Sequence, residues 1–262
     1  MTTDIFQIDA FTDQLFGGNP AAVCPLKQWL PDATLLNIAK ENNLAETAYF
    51  IHKHDNVFYL RWFTPEIEID LCGHATLASA FVILNCLDYN FDSVVFQTLS
   101  GELIVSKNEG FLEMDFPSRP PNKAKLPEII SKSLSVQPIE VYKARDYVLV
   151  YDTENDIQNL KVSTSILEQI DLSPGGIIVT AKGNASDFVS RFFTPGASVF
   201  EDPVTGSAHC TLVPFWADIL EKNELHALQI SERKGELFCK LAGNRVFIKG
   251  TAVKYLQGTI DI

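Results

Sequence analysis

The chain has 262 residues, of which 46% are hydrophobic, and its formal net charge is −12. This length and composition predict two domains with packed cores and exclude a largely disordered chain. The negative charge disfavours nucleic acids and anionic membrane surfaces as partners, because both are bound through clustered Lys and Arg. No apolar segment reaches the ~18 residues that cross a bilayer, and the N-terminal residues do not resemble a signal peptide. Five cysteines without close spacing fit reduced thiols, so we expect a cytoplasmic protein.

The first part of the chain predicts short strands and one helix. Asp4–Ala10 alternates in the manner of a strand, and a Gly-Gly-Asn-Pro turn over 17–20 leads into a second strand. A helix is predicted from Pro31 to about Asn42. The next strand begins at Thr47, and Glu46 lies directly before its first residue.

Glu46 is a candidate acid/base because its sequence neighbours, Leu44, Ala45 and Ala48, are apolar. A carboxyl group in apolar surroundings tends to hold its proton, which suits it to general acid/base catalysis near neutral pH. The alternative is a glutamate on the exposed side of a strand end. Spacing alone favours that alternative.

Two apolar runs, Ala75–Leu87 and Ala208–Leu220, predict helices without a polar face, and such helices are usually buried. A polar turn precedes each run, Cys72-Gly73-His74 in the first case and Thr205-Gly206-Ser207 in the second. A helix N-terminus has unpaired N–H groups and the positive end of the helix dipole. Each turn is therefore a predicted binding site for a carboxylate or phosphate.

The motifs around the two helices recur in the same order at a nearly constant distance. The matching positions, separated by 130, 133 and 134 residues respectively, are Arg61 and Arg191, Gly73 and Gly206, and Gly101 and Gly235. Three such matches indicate a duplicated domain with a site between the two copies. The spacing is far too long for a solenoid repeat.

The proline-rich stretch Ser118–Asn122 predicts the division between domains 1–118 and 119–262. Each domain is expected to wrap a mostly antiparallel, barrel-like sheet around one apolar helix, at about 74–87 and about 207–220. The predicted fold class is therefore α+β with two pseudo-equivalent domains.

The second half of the chain predicts helices at Pro127–Leu134 and Ser163–Ile170 and a strand at Leu228–Ile230. A last strand starts at Ala252. Two positions for that strand are open, because it can complete the second domain or return to the N-terminal one.

Five ordered motifs resemble the PhzF-like (phenazine biosynthesis-like) protein family over nearly the whole chain. They are Gly18–Val23, Leu44–Ala48, Arg61–Pro65, Cys72–Thr76 and Glu201–Ala208. The resemblance implies the fold of diaminopimelate epimerase, in which each of two similar domains surrounds a central helix and the site lies in the cleft. It also implies a homodimer.

The same resemblance implies a cofactor-independent isomerase or epimerase acting on a small carboxylate or amino-acid-like substrate. The characterised enzyme of the family isomerises a dihydro-hydroxyanthranilate, and a carboxyl group carries a proton from one ring carbon to another. Carried over by motif, Glu46 is that acid/base. The residues implied to surround the substrate lie near the two helix starts: Gly73, His74, Asp202, Gly206 and Ser207.

Cys72 is the second candidate acid/base. Diaminopimelate epimerase uses two cysteines, each just before a glycine at a central helix start, and this chain has Cys72 at the first place and Thr205 at the second. A two-thiol racemisation is therefore not available. Two interpretations of Cys72 stay open, a second base beside Glu46 and a small buried cysteine without a catalytic role.

No dinucleotide, P-loop or Schiff-base motif occurs, so we expect no cofactor and no metal. Two other classes of function remain open. One is a non-catalytic member of the same fold that binds a small molecule or a protein. The other is a hydrolase using Ser207 with His74 or His209, although Ser207 does not lie in a Gly-x-Ser-x-Gly elbow.

Overall fold

The computed structural model describes residues 2–172 and 175–262, and the chain forms two compact units. Unit 1 consists of Met1–Asp115 and Ile248–Ile262, and unit 2 is Phe116–Phe247. The end of the chain thus belongs to unit 1, which is one of the two positions that the sequence left open. Within the described ranges no helix is long and apolar enough to cross a membrane.

Strands outnumber helices, and together they form a mixed α/β structure. The strands, in chain order, are β1 (Thr2–Ala10), β2 (Asn19–Leu26), β3 (Glu46–His54), β4 (Val57–Phe63), β5 (Glu68–Ile69), β6 (Ser93–Thr98), β7 (Gly101–Asn108), β8 (Phe111–Pro117), β9 (Asn122–Lys123), β10 (Glu140–Lys143), β11 (Tyr147–Val150), β12 (Ile177–Lys182), β13 (Phe188–Phe193), β14 (Glu201–Asp202), β15 (Glu224–Gln229), β16 (Gly235–Ala242), β17 (Arg245–Gly250) and β18 (Ala252–Asp261). The helices are α1 (Asp32–Asn42), α2 (Gly73–Phe81, continued by a π-helical turn over Val82–Cys86), α3 (Glu128–Ser133), α4 (Glu154–Asn159), α5 (Thr164–Leu167) and α6 (Gly206–Leu220).

The pairing of strands follows one order in unit 1. β1 pairs antiparallel with β2, β2 pairs parallel with β3, and β3 pairs antiparallel with β4. β4 then pairs antiparallel with β5 and parallel with β6, which pairs antiparallel with β7. β18 adds to the other side of β1 as an antiparallel strand.

Unit 2 repeats this order of pairing. β10 pairs antiparallel with β11, β11 parallel with β12, and β12 antiparallel with β13. β13 pairs antiparallel with β14 and parallel with β15, which pairs antiparallel with β16. The recurrence of the sequence motifs therefore has a counterpart in strand topology.

Side-chain alternation decides which face of each sheet is buried. In β4, Phe58, Leu60 and Trp62 are buried, whereas Tyr59 is exposed and Arg61 is half-buried. Successive side chains of a strand point to opposite faces, so the three apolar residues share the face that is turned to the core.

Helix α2 is buried among strands of unit 1. Every residue from Gly73 to Ala80 is buried, and the helix packs against β1, β2, β3, β7 and β18. A helix without a polar face can be buried in this way only if sheet surrounds it on several sides.

Helix α6 is buried in the same manner in unit 2. The Trp216 indole donates from Nε1 to Thr180 Oγ1 on β12 at 2.9 Å, and its ring stacks on Phe188 of β13. On the outer face of β11, β12 and β13, the short helices α3, α4 and α5 cover a second apolar cluster that includes Ile130, Ile157 and Leu167.

Pro214 lies inside α6 and leaves a backbone carbonyl group of that helix free to bond with the start of unit 2. Proline has no N–H, so the carbonyl oxygen of Cys210, four residues earlier, loses its helical partner. The backbone N–H of Arg119 donates to that oxygen at 2.8 Å. Arg119 is thereby held beside the second turn of α6.

A bidentate ion pair holds the loop before each central helix. Arg61 donates from Nε and Nη2 to the two carboxylate oxygens of Glu68 at 2.7 and 2.6 Å. Arg191 binds Glu201 in the same way at 2.7 and 2.8 Å. Each guanidinium also lies about 5 Å from the centre of the phenylalanine ring two residues later. A bidentate pair restrains the orientation of both side chains as well as pairing their charges. These two pairs therefore restrain the backbone that leads into α2 and α6.

Two predicted elements differ from the observed ones. The helix expected over Ser163–Ile170 is the single turn α5, which ends at Leu167. The strand expected at Leu228 begins four residues earlier, because Leu225 and Ala227 alternate with polar residues and continue its buried face.

We predict that His209→Asn makes the folded chain less sensitive to acid. His209 is fully buried in α6, and burial lowers its pKa from 6.5 to about 4. Between these pH values the unfolded chain binds a proton that the folded chain does not, so stability is lost as the pH falls. The difference between 6.5 and about 4 corresponds to roughly 3 kcal/mol.

The measurement is the free energy of unfolding by urea at several pH values between 6.5 and 4. The variant is expected to lose roughly 3 kcal/mol less than wild type over this range. His54→Asn, at an exposed histidine, is the control and should behave as wild type. An equal loss in wild type and His209→Asn would show that His209 does not carry the effect.

Candidate functional site

The site in unit 1 is assembled by the starts of β2, β3 and α2. Gly18 has a φ of +60°, and a Cβ at this position would lie 2.2 Å from the carbonyl oxygen of Ala10, so only glycine fits the turn. That turn places Asn19 at the start of β2, opposite Ala10. Glu46 is the first residue of β3 and pairs with Ala21 of the parallel strand β2.

Four side chains meet there. His74, the second residue of α2, lies with its Nε2 atom 3.0 Å from Glu46 Oε2, which is ion-pair distance although the atoms are not aligned as a hydrogen bond. Its Nδ1 atom lies 3.1 Å from Asn19 Nδ2 and 3.5 Å from Cys72 Sγ. His74 is 5% exposed and Glu46 16%, so Glu46 is the more accessible end of a buried row.

The charges of this cluster favour an imidazolium and a thiol. Burial lowers the pKa of His74, but the neighbouring acidic groups of Cys72 and Glu46 raise that pKa well above 6.5. Burial, reinforced by the charge of Glu46, raises the pKa of Cys72 above 9.0. The carboxylate of Glu46 therefore favours a positive charge on His74, and burial favours an uncharged thiol at Cys72.

A protonated His74 donates from both ring nitrogens. Asn19 would then face Nδ1 with its amide oxygen, and the oxygen and nitrogen of an amide are assigned from such contacts. Asn19 is fully buried, so its amide is well placed to fix the plane of the imidazole ring.

The described residues contain one grouping with metal-ligating atoms near one another, formed by Glu46, Cys72 and His74 within 4.8 Å. Sulfur, imidazole and carboxylate are zinc-type ligands. However, Cys72 and Glu46 contact different nitrogens of the imidazole ring, and a metal ion takes one lone pair of one nitrogen. The three donors therefore do not converge on one point as they stand.

In unit 2 the side chains just before α6 form hydrogen bonds with one another and with Gln229. Thr205, which precedes the helix, donates its hydroxyl to Asp202 Oδ2 at 2.5 Å and accepts from Gln229 Nε2 at 3.2 Å. Gln229 also accepts from the Thr205 backbone N–H at 2.8 Å and donates to the Asp202 carbonyl oxygen at 2.7 Å. Thr205 has the position in unit 2 that Cys72 has in unit 1, and its side chain is hydrogen-bonded within the protein.

Ser207, in the first turn of α6, contacts an arginine. Arg145 Nη2 donates to Ser207 Oγ at 3.0 Å. The same guanidinium lies against the carboxylate of Asp146, with Nε 3.2 Å from Oδ1. Asp146 is 1% exposed, and its Oδ1 also accepts from the backbone N–H of Gly176 at 2.8 Å.

The predicted site residues thus form two groups, each within one unit. Unit 1 contains Glu46, Cys72, Gly73 and His74, and unit 2 contains Asp202, Gly206 and Ser207. Glu46 and His74 contact each other, whereas Asp202 contacts Thr205 and Ser207 contacts Arg145.

Sequence reasoning missed the partners that orient these residues. The sequence predicts a turn over 17–20 but no site role for the Asn19 side chain, and it predicts none for Arg145, Asp146 or Gln229. Arg145 is 62 positions from Ser207 and Gln229 is 24 from Thr205, so no local pattern indicates these contacts.

The place of Glu46 is taken by a glycine in unit 2. Thr47 pairs with Phe63, and Ile177 pairs with Phe193, the matching residue of the second Arg-x-Phe-Thr-Pro motif. Glu46 precedes Thr47, and Gly176 precedes Ile177. The carboxyl group therefore has no counterpart in unit 2.

The chain is similar to known proteins along its whole length. The family described as "Phenazine biosynthesis-like protein" matches residues 8–258. An uncharacterized isomerase of Pseudomonas aeruginosa is 47% identical over 262 residues, covering 100% of both chains. The crystal structure of a PhzF-family phenazine biosynthesis protein from Enterococcus faecalis has a TM-score of 0.95 at 43% identity, again covering 100% of both chains.

A more distant structure shares the fold alone. The structure of a predicted epimerase from Pseudomonas aeruginosa has a TM-score of 0.75 at 19% identity, covering 98% of this chain and 99% of that chain. The expected resemblance to epimerase-type folds is therefore confirmed at the level of the fold.

We predict that Glu46→Gln lowers the pKa of His74. The charge of the carboxylate raises this pKa, whereas the burial that lowers it is unchanged by an isosteric amide. The measurement is the pH titration of the His74 ring nitrogens by NMR in wild type and variant.

Glu102→Gln, at an exposed position of β7, removes one carboxylate of unit 1 far from the ring and serves as the matched control. The control should titrate as wild type. An unchanged His74 midpoint in Glu46→Gln would contradict the assigned contact between the two residues.

Proposed function

The chain belongs to the phenazine biosynthesis-like protein family, and on that premise we propose that it is an isomerase that moves a proton on a small carboxylate substrate without a cofactor. Glu46 is the acid/base in this proposal. The relative that is 47% identical over the full length is named an isomerase, which supports the reaction class.

The observation that carries the proposal is the arrangement of Glu46 against His74. Glu46 is the outermost member of a buried polar row, with one carboxylate oxygen directed at the imidazole at 3.0 Å. A carboxylate that reacts with carbon-bound protons needs little competing water and a fixed orientation, and partial burial against a positive partner provides both.

The proposed reaction balances without a further reactant. The Glu46 carboxylate removes a proton from one substrate carbon, and the electron pair of that C–H bond enters the adjacent unsaturated system. The resulting carboxylic acid then gives its proton to a second carbon of that system, and Glu46 returns to its starting charge. Substrate and product have the same composition, so neither oxidant nor group donor is required.

The N-terminus of α2 and the N-terminus of α6 are each suited to bind negative charge in this proposal. The first N–H groups of a helix have no partner within it and carry a partial positive charge. Gly73 begins α2 and Gly206 begins α6, and a glycine leaves the backbone accessible to an anionic group. A substrate carboxylate, or charge that develops during proton removal, is therefore favoured there.

Cys72 has no acid/base role in this proposal. Its pKa is raised by burial, so the thiol is not the thiolate that a base at neutral pH would have to be. We therefore assign the proton transfer to one carboxyl group rather than to a Glu46 and Cys72 pair.

We predict that Glu46→Gln abolishes exchange of substrate hydrogen with solvent, whereas Cys72→Ala keeps it within about tenfold of wild type. Small carboxylic and amino acids, including dihydro-hydroxyanthranilate, would be incubated in heavy water with wild type and each variant. Mass spectrometry would measure the deuterium that enters each compound. Denaturation curves would check that each variant is folded.

Three outcomes count against the proposal. Equal exchange in Glu46→Gln and wild type would remove Glu46 from the chemistry. A loss of several orders of magnitude in Cys72→Ala would favour two bases. No exchange of any compound, with ligands bound equally well by wild type and Glu46→Gln, would favour a non-catalytic binding protein.

A further inference from the structure

The last strand of the chain forms an exposed edge of unit 1. In the row β18, β1, β2, β3 and β4, strand β18 is the outermost one. Among the described residues, it contacts chiefly β1 and the helix α2. Four consecutive residues, Lys254–Gln257, are exposed, so side chains on both faces of the strand are accessible. A ten-residue edge strand offers a row of backbone N–H and C=O groups with which another strand can pair.

Large apolar side chains are exposed along this edge. Tyr255 and Leu256 are both exposed, and the exposed ring of Phe16 lies with its centre 5.7 Å from that of Tyr255. Phe16 has a φ of +70°, which is unfavourable for an aromatic residue, and its backbone N–H donates to Oδ2 of the buried Asp9 at 3.0 Å. A contiguous group of exposed apolar side chains is typical of a surface that another protein covers.

The pairing with β1 shows which residues of β18 share a face, because directly opposite residues of an antiparallel pair point to the same side of the sheet. The first face carries Leu256, Gly258 and Ile260, and the second face carries Lys254, Gln257, Thr259 and Asp261. Tyr255 is skipped, since the register shifts between its neighbours' partners, Gln7 and Ile8. This bulge places Lys254 on the same face as Asp261, although seven residues separate them.

Gly258 lies in the middle of β18 at a position where the chain itself does not require a glycine. Its φ lies outside the left-handed region, and a Cβ there would meet no atom within 4 Å. A glycine inside a strand weakens the strand, and it often marks a place where another backbone approaches closely. Within the described part of the chain no atom makes that approach, so the approach of another molecule would explain the glycine.

From these observations we propose that β18 pairs antiparallel with β18 of a second copy of this chain, with Gly258 of each copy at the two-fold axis. Such an interface is isologous, so each contact occurs twice. The charged side chains of β18 belong to Lys254 and Asp261. With the bulge at Tyr255 kept in both strands, this centre places Lys254 of one copy opposite Asp261 of the other, on the same face.

The remaining positions of β18 match in the same register. Leu256 lies opposite Ile260 of the second copy on the first face, and Gln257 lies opposite Thr259 on the second face. Apolar side chains thus meet apolar ones and polar side chains meet polar ones, and cross-strand pairs of this kind stabilise a sheet. Because the pattern is complementary to itself, it favours a second copy over an unrelated protein.

The first test measures the oligomeric state of the full chain by sedimentation velocity at several concentrations. Wild type is expected to be a dimer at micromolar concentration. Gly258→Arg places two long, positively charged side chains at the axis and should yield monomers, whereas the fold should be kept because a Cβ there meets open space. Leu99→Arg introduces the same side chain at an exposed turn of unit 1 and should remain a dimer. Urea denaturation would check that both variants are folded.

The second test exchanges charges to check the register, and it also serves if Gly258→Arg does not fold. Lys254→Asp or Asp261→Lys alone places like charges opposite each other twice, so each should raise the dimer dissociation constant about tenfold. The double variant restores opposite charges and should return the constant to within about threefold of wild type. General repulsion between chains of net charge −12 would instead weaken the dimer in Lys254→Asp and strengthen it in Asp261→Lys.

The inference is overturned if wild type stays monomeric at the highest concentration, even if the strand then binds a different protein. A folded Gly258→Arg that dimerises as tightly as wild type would place the interface elsewhere on the chain. Single charge variants without effect, or a double variant weaker than both of them, would contradict the register.

Discussion

Two helices that are apolar on every side impose the main constraint on this chain. Such a helix cannot face water along its length, so α2 and α6 are each covered by the strands of their own unit. Most of the polar side chains of the candidate site therefore lie at the N-terminal ends of the two helices. The sequence places a short polar turn before each helix start, and the bidentate pairs of Arg61 with Glu68 and of Arg191 with Glu201 fix the chain that leads there. The residues to which the proposal assigns the chemistry are near these two helix N-termini.

The two units use this common arrangement for different purposes. In unit 1 the helix start holds His74 against Glu46, whose carboxyl group is partly accessible. In unit 2 the matching positions are Ser207 and Gly176, and Thr205 is engaged by Asp202 and Gln229. Unit 2 therefore has a glycine, and not a carboxyl group, at the position of Glu46.

Much of this structure could be predicted from local pattern. The strands of unit 1 and both central helices follow from alternation and apolar runs, and Glu46 and His74 follow from the family motifs. α4 was missed although Thr153 and Asp156 form a capping box, a signal that the sequence contains. The partners of the site could not be predicted, because Arg145 reaches Ser207 only through tertiary structure. Long-range contacts of this kind leave no period or spacing in the sequence.

The central claim is that one carboxyl group removes the proton and returns it. The most direct measurement follows a substrate that carries deuterium at the carbon from which the proton is removed, in ordinary water. Because Glu46 is only 16% exposed, transfer should compete with exchange, and part of the product should carry deuterium at the new position. Product that contains solvent hydrogen alone, even at the earliest conversion, would contradict the account, since it would indicate a separate acid that donates from water.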